Sequence, residues 1–285
     1  MPAQISLQLD KSNYRPGEVV HGTMHLIASS DLRPRSVVLH AFGEEVTTLG
    51  PNTLMTQHSH PFDLAFNLWS PTYGGTPNAV GTSTAHDDKL LKGEHDFPFE
   101  FALPAALPPS FNGEFTRIVY LLEAKVDLAL HADIRHEQAL HILPAPLTAA
   151  EQPIRSSAQT PQGVRLELAL NASGFYPGDH VTGTLRVSGA EQQPLTAATI
   201  ELISREKGEA REFTDHFDKV RVRIEIDPAQ LSGGQPFPID VPIPDDADPS
   251  FVAHHSAKLR LVRARIEGPN LAPLIAEAVI NIGVK

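Results

Sequence analysis

The chain contains no cysteine, which excludes disulfides, thiolate metal sites and cysteine nucleophiles together. That absence is compatible with a reducing compartment. Basic residues are also in short supply: 23 Lys+Arg against 34 Asp+Glu leave a formal net charge of −11. Nucleic-acid binding is disfavoured on that ground, because neutralising phosphates needs a basic face. No apolar run approaches the roughly 20 residues of a membrane-spanning helix. The stretch Met1 to Asp10 has neither the basic nor the apolar region of a signal peptide and instead alternates like a strand. The expectation is a globular cytoplasmic protein with no nucleic-acid partner.

Catalytic signatures are equally scarce. There is no Gly-x-Ser-x-Gly elbow and no Gly-x4-Gly-Lys phosphate loop. The nearest approach to a zinc-protease motif is His136-Glu-Gln-Ala-Leu-His141. Its histidines sit five apart on an expected strand, where they face opposite sides, rather than four apart on a helix. His21 and His25 share a strand face, but two imidazoles without further ligands read as solvated surface. No cofactor, metal or catalytic residue is assigned, and the chain reads as a non-enzyme.

What the sequence does have is the same text twice. Phe97, Pro98, Pro104, Pro109, Ser110 and Phe111 fall without a gap on Phe237, Pro238, Pro244, Pro249, Ser250 and Phe251. Leu121, Ala124 and Val126 continue in register onto Leu261, Ala264 and Ile266. Earlier, Pro16-Gly17-Glu18-x-Val20-x-Gly22-Thr23 matches Pro177-Gly178-Asp179-x-Val181-x-Gly183-Thr184. Ordered blocks that recur this way mark an internal duplication. The first copy carries roughly twenty extra residues between the two blocks, assigned to an insertion around 51–90 that also holds the one tryptophan, Trp69.

Each copy is written in short alternating segments. Ile5, Leu7 and Leu9 oppose Ser6, Gln8 and Asp10; Val20, Gly22, Met24 and Leu26 form one face of the next strand; Ser36 to Phe42 is a third. Pro-Gly turns separate them. Proline cannot sit inside a sheet ladder, so Pro104 to Pro109 ends one strand in an extended crossing before the long alternation Ile118 to Leu130 begins. No segment keeps a 3.6-residue apolar period. The expected fold is all-β, two tandem immunoglobulin-like sandwiches: residues 1–146, a proline-stiffened linker at 147–162, and residues 163–285.

Four motifs in order give the chain a relative. Tyr14-x-Pro-Gly-Glu-x-Val-x-Gly22, Leu91 to Pro104 with its Phe97-Pro-Phe-x-Phe core, Leu107-Pro-Pro-Ser-Phe-Asn-Gly113, and Tyr120 to Val126 together resemble the arrestin fold family. In plan the chain is similar to compact bacterial arrestin-like proteins of the sporulation-control type and to Vps26-like sorting subunits. The resemblance implies an adaptor or scaffold that binds protein partners, including at membranes, through sheet edges, loops and the groove between the sandwiches. The paired lysines with which receptor arrestins read phosphate have one counterpart here, Lys11. The Pro-Pro-x-Tyr motif of α-arrestins is not matched by Pro108-Pro-Ser-Phe111.

Candidate partner-binding residues are the cations Arg221, Arg223, Lys258, Arg260, Arg263 and Arg265, which on one surface would suit a phosphorylated or acidic partner or lipid headgroups. Against that stands cross-strand pairing with Glu201, Glu225 and Glu267. Trp69 is the remaining candidate. The alternative function is calcium or carbohydrate binding by the 51–90 insertion and the loop holding Asp245, Asp246 and Asp248, whose oxygens are hard-cation ligands.

Overall fold

The computed structural model describes residues 3–50, 55–71, 89–129, 132–146, 152–190 and 194–284. Among these, the helical element is a single 3-10 turn, Pro228–Leu231, whose cap Asp227 accepts from the Ala229 N–H at 3.0 Å. Everything else regular is strand. Apart from a short piece after Thr48, residues up to Pro144 form one compact unit and those from Ala145 a second.

The first unit runs through β1 (Ala3–Leu9), β2 (Asn13–Tyr14), β3 (Val19–Ala28), β4 (Pro34–Leu49), β5 (Met55–Ser59), β6 (Asp63–Trp69), β7 (Gly93–Ala102), β8 (Phe111–Asn112), β9 (Thr116–Leu128), β10 (Ile134–Ala139) and β11 (His141–Ile142). One sheet has the order β1-β3-β7; the other has β10-β9-β4, with β5 and β6 both along β4 and β8 on β9. The alternation puts Val20, Met24, Leu26, Phe97, Phe99 and Phe101 of the first sheet in the core, with Leu39, Ala41, Leu122 and Ala124 of the second. Phe66 of β6 stacks on Phe101 of β7 at 5.6 Å between ring centroids, tying the layers together.

The second unit comprises β12 (Ile154–Gln159), β13 (Arg165–Leu170), β14 (Gly174–Phe175), β15 (His180–Ser188), β16 (Ala197–Ala210), β17 (Phe213–Glu225), β18 (Phe237–Pro242), β19 (Phe251–Val252), β20 (Ser256–Gly268) and β21 (Leu271–Ile282). Its sheets are β12-β13-β15-β18 and β14-β21-β20-β16-β17, with β19 on β20. Strand for strand, β13, β15 and β18 answer β1, β3 and β7, and β16 and β20 answer β4 and β9.

The repeat extends to individual hydrogen bonds. In the first unit the Ser110 N–H donates to the Ile142 carbonyl at 2.9 Å and the Ile142 N–H donates back to Ser110 Oγ at 3.0 Å. In the second, Ser250 and Ile282 exchange the same two bonds at 2.7 and 3.1 Å. The turn before the third strand repeats too: the Arg15 N–H donates to the Glu18 carboxylate at 2.9 Å, and the Tyr176 N–H to that of Asp179 at 2.7 Å. The Tyr120 hydroxyl holds the proline crossing by donating to the Pro108 carbonyl at 2.7 Å. The matching position in the second unit is Arg260, which donates to the Asp248 carbonyl at 2.6 Å. A crossing that can donate few backbone N–H groups of its own is thus pinned by side-chain donors.

Two segments carry strands that the sequence reading did not assign. The segment read as linker at 147–162 contains β12, an edge strand laid antiparallel on β13. Its six residues alternate half-buried and exposed, too weak a pattern to stand out beside the prolines. The region read as insertion at 51–90 contains β5 and β6, which line β4 as the single long β17 lines β16. Residues 51–54 and 72–88 lie outside the described residues.

Candidate functional site

The two copies differ at the outer edge of the first sheet. The Asp10 N–H donates to the His21 carbonyl at 3.0 Å. With the register Leu9↔Gly22, the alternation of an antiparallel ladder turns the backbone groups of Ile5, Leu7 and Leu9 away from β3. In the second unit the Asn171 N–H donates to the Thr182 carbonyl at 3.0 Å, so Leu166, Leu168 and Leu170 turn away from β15 in the same manner. There β12 receives them, with Ala158, Ser156 and Ile154 opposite. Among the described residues no strand does this for β1. Burial follows: Leu166, Leu168 and Leu170 are 0–2% exposed, whereas Ile5, Leu7 and Leu9 are only half-buried. An open ladder and an incompletely covered apolar flank lie side by side on β1.

Beside this edge, on the outer face of the sheet, Gln8, Asp10, His21, Thr23 and Glu100 line a depression of about 390 Å³. Gly22 lines it too, and a Cβ there would point to the core side, within 2.5 Å of the Phe99 ring. The rim is polar and internally bonded. His25 Nδ1 lies 2.6 Å from Asp96 and its Nε2 3.2 Å from Gln8; His21 faces Glu100 at 3.4 Å. The buried Tyr14 hydroxyl donates to Asp10 and holds that carboxyl below its usual range. Burial, and then the same bond, push the Tyr14 phenol well above its own.

The six cations singled out from the sequence do not share one face. Arg223 on β17 and Arg263 on β20 flank Glu201 of the intervening β16, and Glu277 of β21 extends the row, so the charges alternate across four strands. Arg263 also meets Asp218 at 2.8 Å, and Asp218 in turn takes two hydrogen bonds from Arg205. Arg265 pairs with Glu267. Arg221 falls at a register shift in β17 and reaches Asp246 at 2.6 Å. Arg260, 1% exposed, turns to the other face of β20 and is bonded to Ser204 and Asp248. Half-buried Lys258 lies on that face as well, and burial lowers its pKa. The register of β16 between β17 and β20 is what separates the set, and strand order is not written in either strand's own sequence.

Trp69 closes β6 and is 2% exposed; its Nε1 has no hydrogen-bond partner among the described residues. Of the acidic loop, Asp246 is engaged by Arg221 and Asp248 by Arg260. The open edge of β1 was not singled out in the sequence, although the contrast is legible once 154–159 is known to be a strand.

The model for the arrestin (or S-antigen) N-terminal domain matches residues 3–146. The chain belongs to the arrestin family. Among its relatives is mouse (Mus musculus) arrestin domain-containing protein 1, 27% identical over 217 residues, covering 70% of this chain and 46% of that protein. Arrestin domain-containing protein 17 of Caenorhabditis elegans is 24% identical over 193 residues, covering 62% and 45%. The human arrestin domain-containing protein 1 is 25% identical over 218 residues, covering 70% and 47%. The match thus spans about half the length of these relatives. No helix among the described residues of this arrestin-family chain is long and apolar enough to cross a membrane.

Proposed function

We propose that this arrestin-family protein is a non-catalytic adaptor that receives an extended segment of a partner protein as an added strand on β1. The observation carrying this reading is the difference between two otherwise duplicated edges: β13 is covered by β12, and β1 has no such cover among the described residues. Added strands gain affinity from main-chain hydrogen bonds and specificity from alternate side chains. The partner segment that suits β1 pairs with the outward groups of Ile5, Leu7 and Leu9. It also places apolar side chains, as Ile154 and Ala158 do on β13, over their half-buried flank.

Amide hydrogen exchange tests this directly. In the free protein the amides of Ile5, Leu7 and Leu9 should exchange much faster than those of Leu166, Leu168 and Leu170, because the second set is held by β12. A partner purified on the protein from native lysate should slow exchange at Ile5, Leu7 and Leu9. Partner binding that leaves those three amides unprotected would sink the edge as the site.

A further inference from the structure

Among its described residues the second unit holds a concentration of unmatched positive charge that the adaptor reading does not use. On the outer face of its first sheet lies a depression of about 340 Å³, within the size range of small-ligand sites. Three neighbouring strands each send it an arginine: Arg155 from β12, Arg165 from β13 and Arg186 from β15. Adjacent strands stand about 4.8 Å apart, so long side chains from all three strands line the same depression. The register supplies the floor. Arg155, Ala169 and Thr184 form one row and Ser157, Glu167 and Arg186 the next, so the small Ala169 sits between the longer side chains and leaves the space open.

Among the described residues the charges are not cancelled, since Glu167 is the one carboxylate lining the depression, against three guanidiniums. It lies opposite Arg186 in register yet pairs with Arg165 at 2.9 Å. Arg186 instead donates its Nε to the Gly234 carbonyl at 2.7 Å, which fixes the plane of the guanidinium. Its terminal nitrogens have no protein partner among the described residues, and Arg155 has neither an ion pair nor a hydrogen bond among them. In a chain with a net charge of −11, two guanidiniums with unfilled donors among the described residues line one concave surface with the hydroxyls of Ser157 and Thr184, a specific arrangement of donors. Planar guanidinium forks match the oxygens of a phosphate.

We infer that this depression is a binding site for a small phosphomonoester. The dianionic phosphate lies between Arg155 and Arg186, the Ser157 and Thr184 hydroxyls donate to its remaining oxygens, and Glu167 accepts from a hydroxyl on the ligand body. The site lies on β12, β13 and β15 and owes nothing to β1, so it stands or falls separately from the adaptor reading.

The test uses the full chain, with glycerol 3-phosphate, inorganic phosphate and glycerol as probes in isothermal titration calorimetry at constant ionic strength. Vesicles of phosphatidylcholine with and without phosphatidic acid, whose headgroup is also a phosphomonoester, form a second arm. Glycerol 3-phosphate should bind and glycerol should not. Arg155→Gln and Arg186→Gln should each weaken binding at least tenfold, and the double variant should abolish it. Arg223→Gln on the other sheet should change nothing. Melting temperatures without probe should stay close to wild type, since both arginines are exposed. Binding of glycerol 3-phosphate without retention on phosphatidic acid vesicles supports the site and assigns it a soluble ligand. Retention that the double variant loses supports it and assigns a lipid headgroup. Heats and retention that are absent, or that persist in the double variant, overturn the proposal.

Discussion

At Gly183 there is no room for another carbon: a Cβ would lie 2.2 Å from the Ala169 carbonyl oxygen. The equivalent Gly22 faces the Phe99 ring at 2.5 Å and the Gln8 carbonyl at 2.8 Å. A ring edge can tilt further than a paired backbone can shift. Gly183→Ala is therefore expected to cost about 1–3 kcal/mol in urea denaturation, and Gly22→Ala less. The ionic row on the second unit makes a pH prediction. Hydrogen bonds from Arg205, and after them from Arg263, hold the Asp218 carboxyl below its ordinary value of 3.8. A carboxylate depressed in the folded state adds stability that is fully present above its unfolded pKa and is lost as pH falls from there through the folded one. The gap in urea midpoint between wild type and Asp218→Asn should be constant from neutral pH down to about 5 and should narrow below about 4. A gap unchanged at low pH would mean that Asp218 acts by packing alone.

Between strands, the informative element is β12. Ser156 sits opposite Leu168 in a hydrogen-bonded pair, so Ser156→Pro removes a ladder donor. The expected loss is about 1 kcal/mol or more of stability, with Leu166, Leu168 and Leu170 gaining the faster exchange expected of Ile5, Leu7 and Leu9. If their exchange stays slow, β12 is not what protects them. This strand also shows where sequence reading reached its limit. The alternation of Ile5, Leu7, Leu9 and of Phe97, Phe99, Phe101 was visible because one face is core and the other solvent. In β12 the chain reads Ile-Arg-Ser-Ser-Ala-Gln, where half-burial asks for little apolar character, and the prolines on either side signalled a linker instead. The same limit hid β5, whose Met55-Thr-Gln-His-Ser59 has no buried residue. The arginine depression was equally hidden, because Arg155, Arg165 and Arg186 are brought together only by strand order. The fold was readable from repeated core residues, whereas the surfaces depend on pairings among residues far apart in sequence.

Across the whole molecule, one duplicated plan has been kept for scaffolding and altered at its exposed margins. The reciprocal serine bonds of Ser110 and Ser250 persist unchanged, while the donor that pins the crossing has passed from a phenol, Tyr120, to a guanidinium, Arg260. Scaffolding bonds that survive a change of donor are the sort a binding protein can hold constant while its edges diverge. The edge of β1, uncovered among the described residues, has one further consequence, and it concerns symmetry. A strand edge is complementary to itself when reversed, so two copies of this chain meeting through β1 pair antiparallel about a two-fold axis, fusing two three-stranded sheets into one of six. Such contact uses the same patch on both molecules and closes at two. Pairing of β1 on β1 therefore yields dimers but no filaments, and sedimentation at rising concentration should show association of that kind stopping at the dimer. A partner strand bound at β1 would abolish it by occupying the axis.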